Sequence, residues 1–107
     1  MSEVERAIGY ARVSTPEQAD EGFGLEAQIE RIRSVDEFKV NEIIRDEGET
    51  GTDLKREGLQ EILHMARNGE ISHLVVFRLD RISRDMLDMF HVLRILREND
   101  VKVVTTK

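Results

Sequence analysis

The stretch that decides the fold is "SHLVVF", Ser72 to Phe77. Its last four residues are apolar without a polar interruption. A sheet with one face in water alternates apolar and polar residues, and this run does not. It predicts a strand covered on both faces, which is the situation inside a parallel sheet packed under helices.

The flanking segments agree. Before it, "LQEILHMARNG" sets Leu59, Ile62, Leu63 and Ala66 at helical spacing and ends on Asn68-Gly69, a good C-cap pair. After it, "RDMLDMFHVLRILREND" predicts a long helix and "VKVVTT" a fourth strand. Toward the N-terminus, "RAIGYARVS" reads as a first strand and "DEGFG" as a loop. "GLEAQIERIRSV" puts Leu25, Ile29, Ile32 and Val35 on one helical face. "KVNEIIRD" is a second strand, and "DEGETGTDLKREG", Asp46 to Gly58, a polar loop. Strand and helix alternate throughout. The expected fold is α/β: a mostly parallel sheet of four or more strands, joined by right-handed crossovers, with helices on both faces.

The chain has 107 residues, which suits one domain over residues 1–107. It has no cysteine, so disulfides and thiolate chemistry are excluded and a reducing, cytoplasmic setting fits. Its three histidines, His64, His73 and His91, are scattered, so no metal site is expected. No apolar run approaches the ~18 residues of a membrane span. The net charge of −6 argues against gripping DNA by bulk electrostatics. A nucleic-acid role would need a local basic cluster.

In parallel sheets, chemistry collects beyond the carboxyl ends of the strands. The loops there carry Val13-Ser14-Thr15, then Asp46 to Gly58, then Arg78 to Arg81. Ser14 has an ordinary reading: in "STPEQ", Thr15 caps a helix, Pro16 opens it and Gln18 completes a capping box. "FRLDRISRD" is harder to explain so simply. It sets Arg78, Arg81 and Arg84 around Asp80, and if a helix begins there, Arg81 and Arg84 share a face. Arginines in a first helical turn oppose the macrodipole, while their planar forks suit phosphate oxygens. Gln28 shares the face of Leu25, Ile29 and Ile32, where a buried amide needs a partner. One hydroxyl, several arginines and one or two carboxylates point to metal-independent phosphoryl transfer from a serine, with Arg12 two residues before Ser14 on the same strand face.

These residues carry a resemblance. "YARVSTPEQ" resembles the Tyr-x-Arg-Val-Ser-Thr-x-x-Gln signature of the serine recombinases, the resolvase and invertase family. "LDRISRD" is similar to the family's Leu-Asp-Arg-x-x-Arg-Asp segment, and "DEGETGTDLKREGL" to its loop from an aspartate through Ser-Gly to an arginine. "EGFGLEAQ" resembles the Gly-x-Ser-Leu-Glu-x-Gln stretch of the large serine recombinases. The resemblance spans nearly the whole chain. It implies a resolvase-like catalytic domain in which Ser14 attacks a DNA phosphodiester. A 5′-phosphoserine link and a free 3′-hydroxyl result, and rejoining needs no ATP, metal or other cofactor.

Arg12, Arg81 and Arg84 would bind the scissile phosphate, joined by Arg56. Asp80 would orient the arginines or take part in proton transfer. Tyr10, Gln18, Asp46 and Thr50 would support the site. The group that takes the serine proton does not follow from these residues. Partners would be double-stranded DNA recombination sites and further copies of the chain, as dimers that assemble into tetramers. Thr50 and Gly24 stand where the family often has serine.

Family members continue into an oligomerisation helix and a DNA-binding region, so the chain is expected to be truncated and by itself inactive or weakly active. The helix "RDMLDMFHVLRILREND" has Met86, Leu87, Met89, Phe90, Val92, Leu93, Ile95 and Leu96, more than one apolar stripe needs. It is either a deeply buried core helix or a subunit contact. The competing functions are an inert interaction fragment of such a protein and a phosphatase or nuclease with a similar arginine-lined site.

Overall fold

A computed structural model describes residues 6–13, 25–35, 39–47, 57–83 and 85–106. The elements are β1 (Ala7–Val13), α1 (Leu25–Arg33), β2 (Val40–Glu47), α2 (Glu57–Arg67), β3 (His73–Val76), a 3₁₀ turn (Leu79–Arg81), α3 (Met86–Glu98) and β4 (Lys102–Thr105). All strand pairs are parallel and the order is β2-β1-β3-β4. The expected α/β architecture is therefore present, with each strand and helix within a few residues of its sequence reading. Two boundaries moved. Asp46 lies inside β2 rather than in the loop after it, and Gly58 is already helical.

The sheet has two covered faces. Ile8 and Tyr10 of β1, with Leu74 and Val76 of β3, face α2 and α3 in the larger core with Leu59, Ile62, Val92 and Leu96. Ala7, Ala11 and Val75 point the other way, against Ile29 and Ile32 of α1. Strand side chains alternate, so Leu74 to Phe77 can all be buried only because helices cover both sides. Small residues on one face of β1 bring α1 close. A Cβ on Gly9 would lie 2.7 Å from Cγ2 of Ile32.

The chain steps from β1 to β2 through α1, then reverses, passing β1 to reach β3 through α2. Reversing direction while keeping crossovers right-handed puts α2 on the opposite face from α1. The reversal makes the carboxyl ends of β1 and β3 a topological switch point, where open α/β sheets leave a crevice.

Both long helices stop in the same way. Gly69, at φ +72, follows α2 while Glu70 N–H donates to the Met65 carbonyl and Gly69 N–H to that of Ala66. After α3, Val101 N–H donates to the Leu96 carbonyl and Asp100 N–H to that of Arg97, with Asp100 at φ +62. Both are Schellman ends, but only the first has glycine at its left-handed residue. Replacing Asp100 by Gly should stabilise the fold by about 0.5–1 kcal/mol, because Asp carries a Cβ penalty there. Thermal unfolding should show this as a midpoint roughly 2–8 °C higher. No rise would mean that Asp100 is not held left-handed.

Helix α3 departs from the deeply buried reading. Val92 and Leu96 are buried, and Met89, Leu93 and Ile95 are partly covered. Met86, Leu87 and Phe90 are 65%, 78% and 60% exposed. One stripe serves the core and a second faces outward at the helix N-terminal half.

Candidate active site at the carboxyl end of the sheet

Arg12 lies at the carboxyl end of β1 and is only 4% exposed. Pairing between β1 and β3 ends at Tyr10↔Val76. Beyond that point β3 leaves the sheet: Phe77 is buried, Arg78 is extended, and the 3₁₀ turn brings Asp80 and Arg81 against β1. The turn closes through Arg81 N–H to the Arg78 carbonyl at 3.0 Å and Ile82 N–H to that of Leu79 at 2.9 Å. Fully buried Ile82 anchors it in the core. Arg12 and Arg78 each stand two residues past the last paired position.

Arg81 is 6% exposed. Its Nε lies 4.0 Å from Oδ1 of Asp80, whose Oδ2 is 3.5 Å from Nη2 of Arg78. Asp80 and Arg78 are half-exposed, so solvent screens their pair. Asp80 thus sits between Arg78 and Arg81 at the switch point. A planar guanidinium with five donors is suited to a phosphate there.

The condition for Arg81 and Arg84 to share a face, a helix beginning at Arg81, is not met, and Arg84 lies outside the described residues. Arg81 ends a separate 3₁₀ turn, and α3 starts later, at Met86. Asp85 caps it, accepting from Leu87 N–H at 2.8 Å and Asp88 N–H at 3.2 Å. Acidic groups therefore sit at the positive end of the macrodipole, and the arginines precede it. Buried Ser83 shapes the link by accepting from Asp85 N–H at 3.0 Å. That serine carried no signal in sequence beyond its place between two arginines.

Tyr10 and Asp46 form a second cluster. The Tyr10 hydroxyl donates to Oδ2 of Asp46 at 2.7 Å. The same carboxylate accepts from the backbone N–H of Gly58 at 2.9 Å and of Leu59 at 3.2 Å. Asp46 thus caps α2 from a neighbouring strand and satisfies two of its orphan N–H groups. Gly58 permits the approach, since a Cβ there would lie 2.9 Å from both carboxylate oxygens. Tyr10 and Asp46 organise the scaffold directly behind the arginines. Ser14, Gln18, Thr50, Arg56 and Arg84 lie outside the described residues. Among the described residues, no three His, Asp or Glu side chains gather as metal ligands.

This geometry can be set beside known proteins. Residues 7–107 match the family model described as "Resolvase, N terminal domain". The chain belongs to this family. It is 32% identical over 102 residues to the transposon Tn3 resolvase of Escherichia coli, covering 95% of this chain and 49% of that protein. It is 36% identical over 94 residues to the transposon Tn552 resolvase of Staphylococcus aureus, covering 88% of this chain and 42% of that protein. The chain spans half or less of the length of these relatives. Among solved structures, the N-terminal catalytic domain of TP901-1 integrase is similar at a TM-score of 0.85 and 28% identity, over 95% of this chain and 78% of that one. A serine recombinase from Sulfolobus solfataricus is similar at a TM-score of 0.77 and 28% identity, over 96% of this chain and 69% of that one. The resolvase fold thus accounts for the strand order and the helices on both faces.

Within this resolvase-family domain the Tyr10 hydroxyl bond is charge-assisted and buried. Its loss leaves the carboxylate short of one donor, at about 1.5–3 kcal/mol. Tyr10→Phe should therefore lower the free energy of urea unfolding by about that amount with the slope unchanged. A change below about 0.5 kcal/mol would mean that the hydroxyl contributes no net bond to Asp46.

Proposed function

We propose that this chain is the catalytic module of a site-specific DNA recombinase. Ser14 attacks a DNA phosphodiester in line, forms a 5′-phosphoserine bond and releases a 3′-hydroxyl. Attack of another strand's 3′-hydroxyl on that bond restores the serine and rejoins DNA. One ester replaces another at each step, so the reaction conserves bond energy and calls for no ATP. Arg12 and Arg81 hold the nonbridging oxygens and stabilise the charge that builds on them, with Arg56 and Arg84 completing the cluster. Asp80 orients Arg81. Gln18 and Thr50 support the phosphate, and Tyr10 and Asp46 support the scaffold. A cytoplasmic location follows from the DNA substrate.

The observation that carries this reading is the pair of buried arginines, Arg12 and Arg81, at the β1/β3 switch point of a resolvase-family sheet. The test uses duplex DNA bearing a candidate recombination site with a labelled phosphate at the suspected cut. The wild-type protein should retain label after denaturation, and Ser14→Ala should retain none while keeping its fold. Label surviving on Ser14→Ala would sink the mechanism.

A second reading is favoured by α3. Its exposed Met86, Leu87 and Phe90 suit a contact with another copy of the chain. In the recombinase reading this face serves dimers and tetramers; in the second it is the whole function, an inert pairing module. Sedimentation should find self-association weakened about tenfold or more by Phe90→Glu. Stable dimers with no labelled adduct at a confirmed site would favour the inert module. An unaltered association would remove α3 from the interface.

A further inference from the structure

We propose that Gln28 is a positioning residue for the nucleophile, an inference that rests on the reading of Ser14 above. Gln28 is on α1 and fully buried. Its Oε1 accepts from the Arg12 backbone N–H at 3.1 Å, and its Nε2 donates to the Arg12 carbonyl at 2.9 Å. An amide that accepts from one residue's N–H and donates to its C=O does what a neighbouring strand would do.

The need for it comes from the site. β3 pairs with β1 only as far as Tyr10↔Val76, because the chain then turns to deliver Asp80 and Arg81. Strand β1 runs on to Val13. Its backbone at Arg12 would face the place β3 has vacated, and Gln28 fills that role. The helix is held at the right height by close packing one turn further on. Ile32, four residues after Gln28 and on the same stripe, sits where Gly9 lacks a Cβ. β2 stays paired with β1 through Val13↔Glu47 on one edge, and Gly9, Ile32 and Gln28 form one device that holds the other edge at Arg12. Ser14 follows two residues later, so the point from which the nucleophile departs is held by β2 on one side and by Gln28 of α1 on the other. An apolar side chain of the same length would pack but leave both Arg12 groups without this partner. Freedom at that point moves the serine relative to the phosphate, and misplacement of about 1 Å costs on the order of a hundredfold in rate.

The experiment compares wild type, Gln28→Met and, as a control, Glu30→Gln on the solvent face of α1, all well below the unfolding transition. Single-turnover adduct formation with the labelled duplex separates the rate constant from the reacting fraction. Gln28→Met should lower the rate constant roughly a hundredfold and leave the reacting fraction unchanged. Amide exchange at Arg12 should speed up about tenfold or more, with Ile8 and Tyr10 unaltered. Glu30→Gln should match wild type in both. A loss confined to the reacting fraction, or faster exchange along all of β1, would make Gln28 merely structural and overturn the proposal. If wild type forms no adduct, it is the reading of Ser14 that has failed. Exchange at Arg12 then decides whether Gln28 holds the strand end, and unchanged exchange refutes it. Should Gln28→Met not fold, Gln28→Asn keeps the amide but falls one methylene short, with the same outcomes expected.

Discussion

The structure depends on ending a fully covered strand in a charge. β1 is buried from Ala7 to Ala11, then carries Arg12 at 4% exposure. Removing a guanidinium from water costs several kcal/mol before its surroundings offset it. A fold selected for stability alone would end such a strand in an apolar or solvent-facing residue. Here the surrounding elements are arranged around the arginine instead. α1 supplies Gln28 to its backbone, and β3 leaves the sheet early so that the turn carrying Arg81 packs against β1.

The same economy explains the other buried polar groups. Asp46 would be costly at 7% exposure if it faced an apolar core. It takes a hydroxyl and two helix N–H groups, so its charge meets the positive end of α2. Asp46 is also the cross-strand neighbour of Arg12, while Asp80, which pairs with Arg78 and Arg81, is half-exposed and screened. Among the described residues, these two carboxylates are therefore either tied to a helix end or softened by solvent.

Much of this was legible because it depends on period and composition. "SHLVVF" could only be a strand covered twice, and the helical stripes of Leu59–Ile62–Ala66 and Ile29–Ile32 declared the two faces. The arginines of "FRLDRISRD" were visible as a cluster. Their geometry was not, because a 3₁₀ turn leaves no periodic trace in three residues, and Asp85 could be read as one more member of a charged run instead of the cap that starts α3. The clamp between Tyr10, Asp46 and Gly58 was hidden for another reason. Its partners are 36 and 12 residues apart and meet only through strand register and the missing Cβ of Gly58. Local patterns do not encode such pairs.

The chain's net charge of −6 and the positive crevice are compatible because they act over different ranges. At physiological salt, charges more than about 8 Å from a phosphate are largely screened when solvent-exposed. The acidic residues on outward faces, such as Glu30, Glu61 and Glu70, are of that kind. Arg12 and Arg81 are buried and act in a medium that screens them far less. In the proposed function, such a domain would attract DNA weakly at long range and hold one phosphate once it is delivered. That division suits a cutting site whose delivery is left to other contacts, since a module that bound every phosphate at long range would hold DNA indiscriminately.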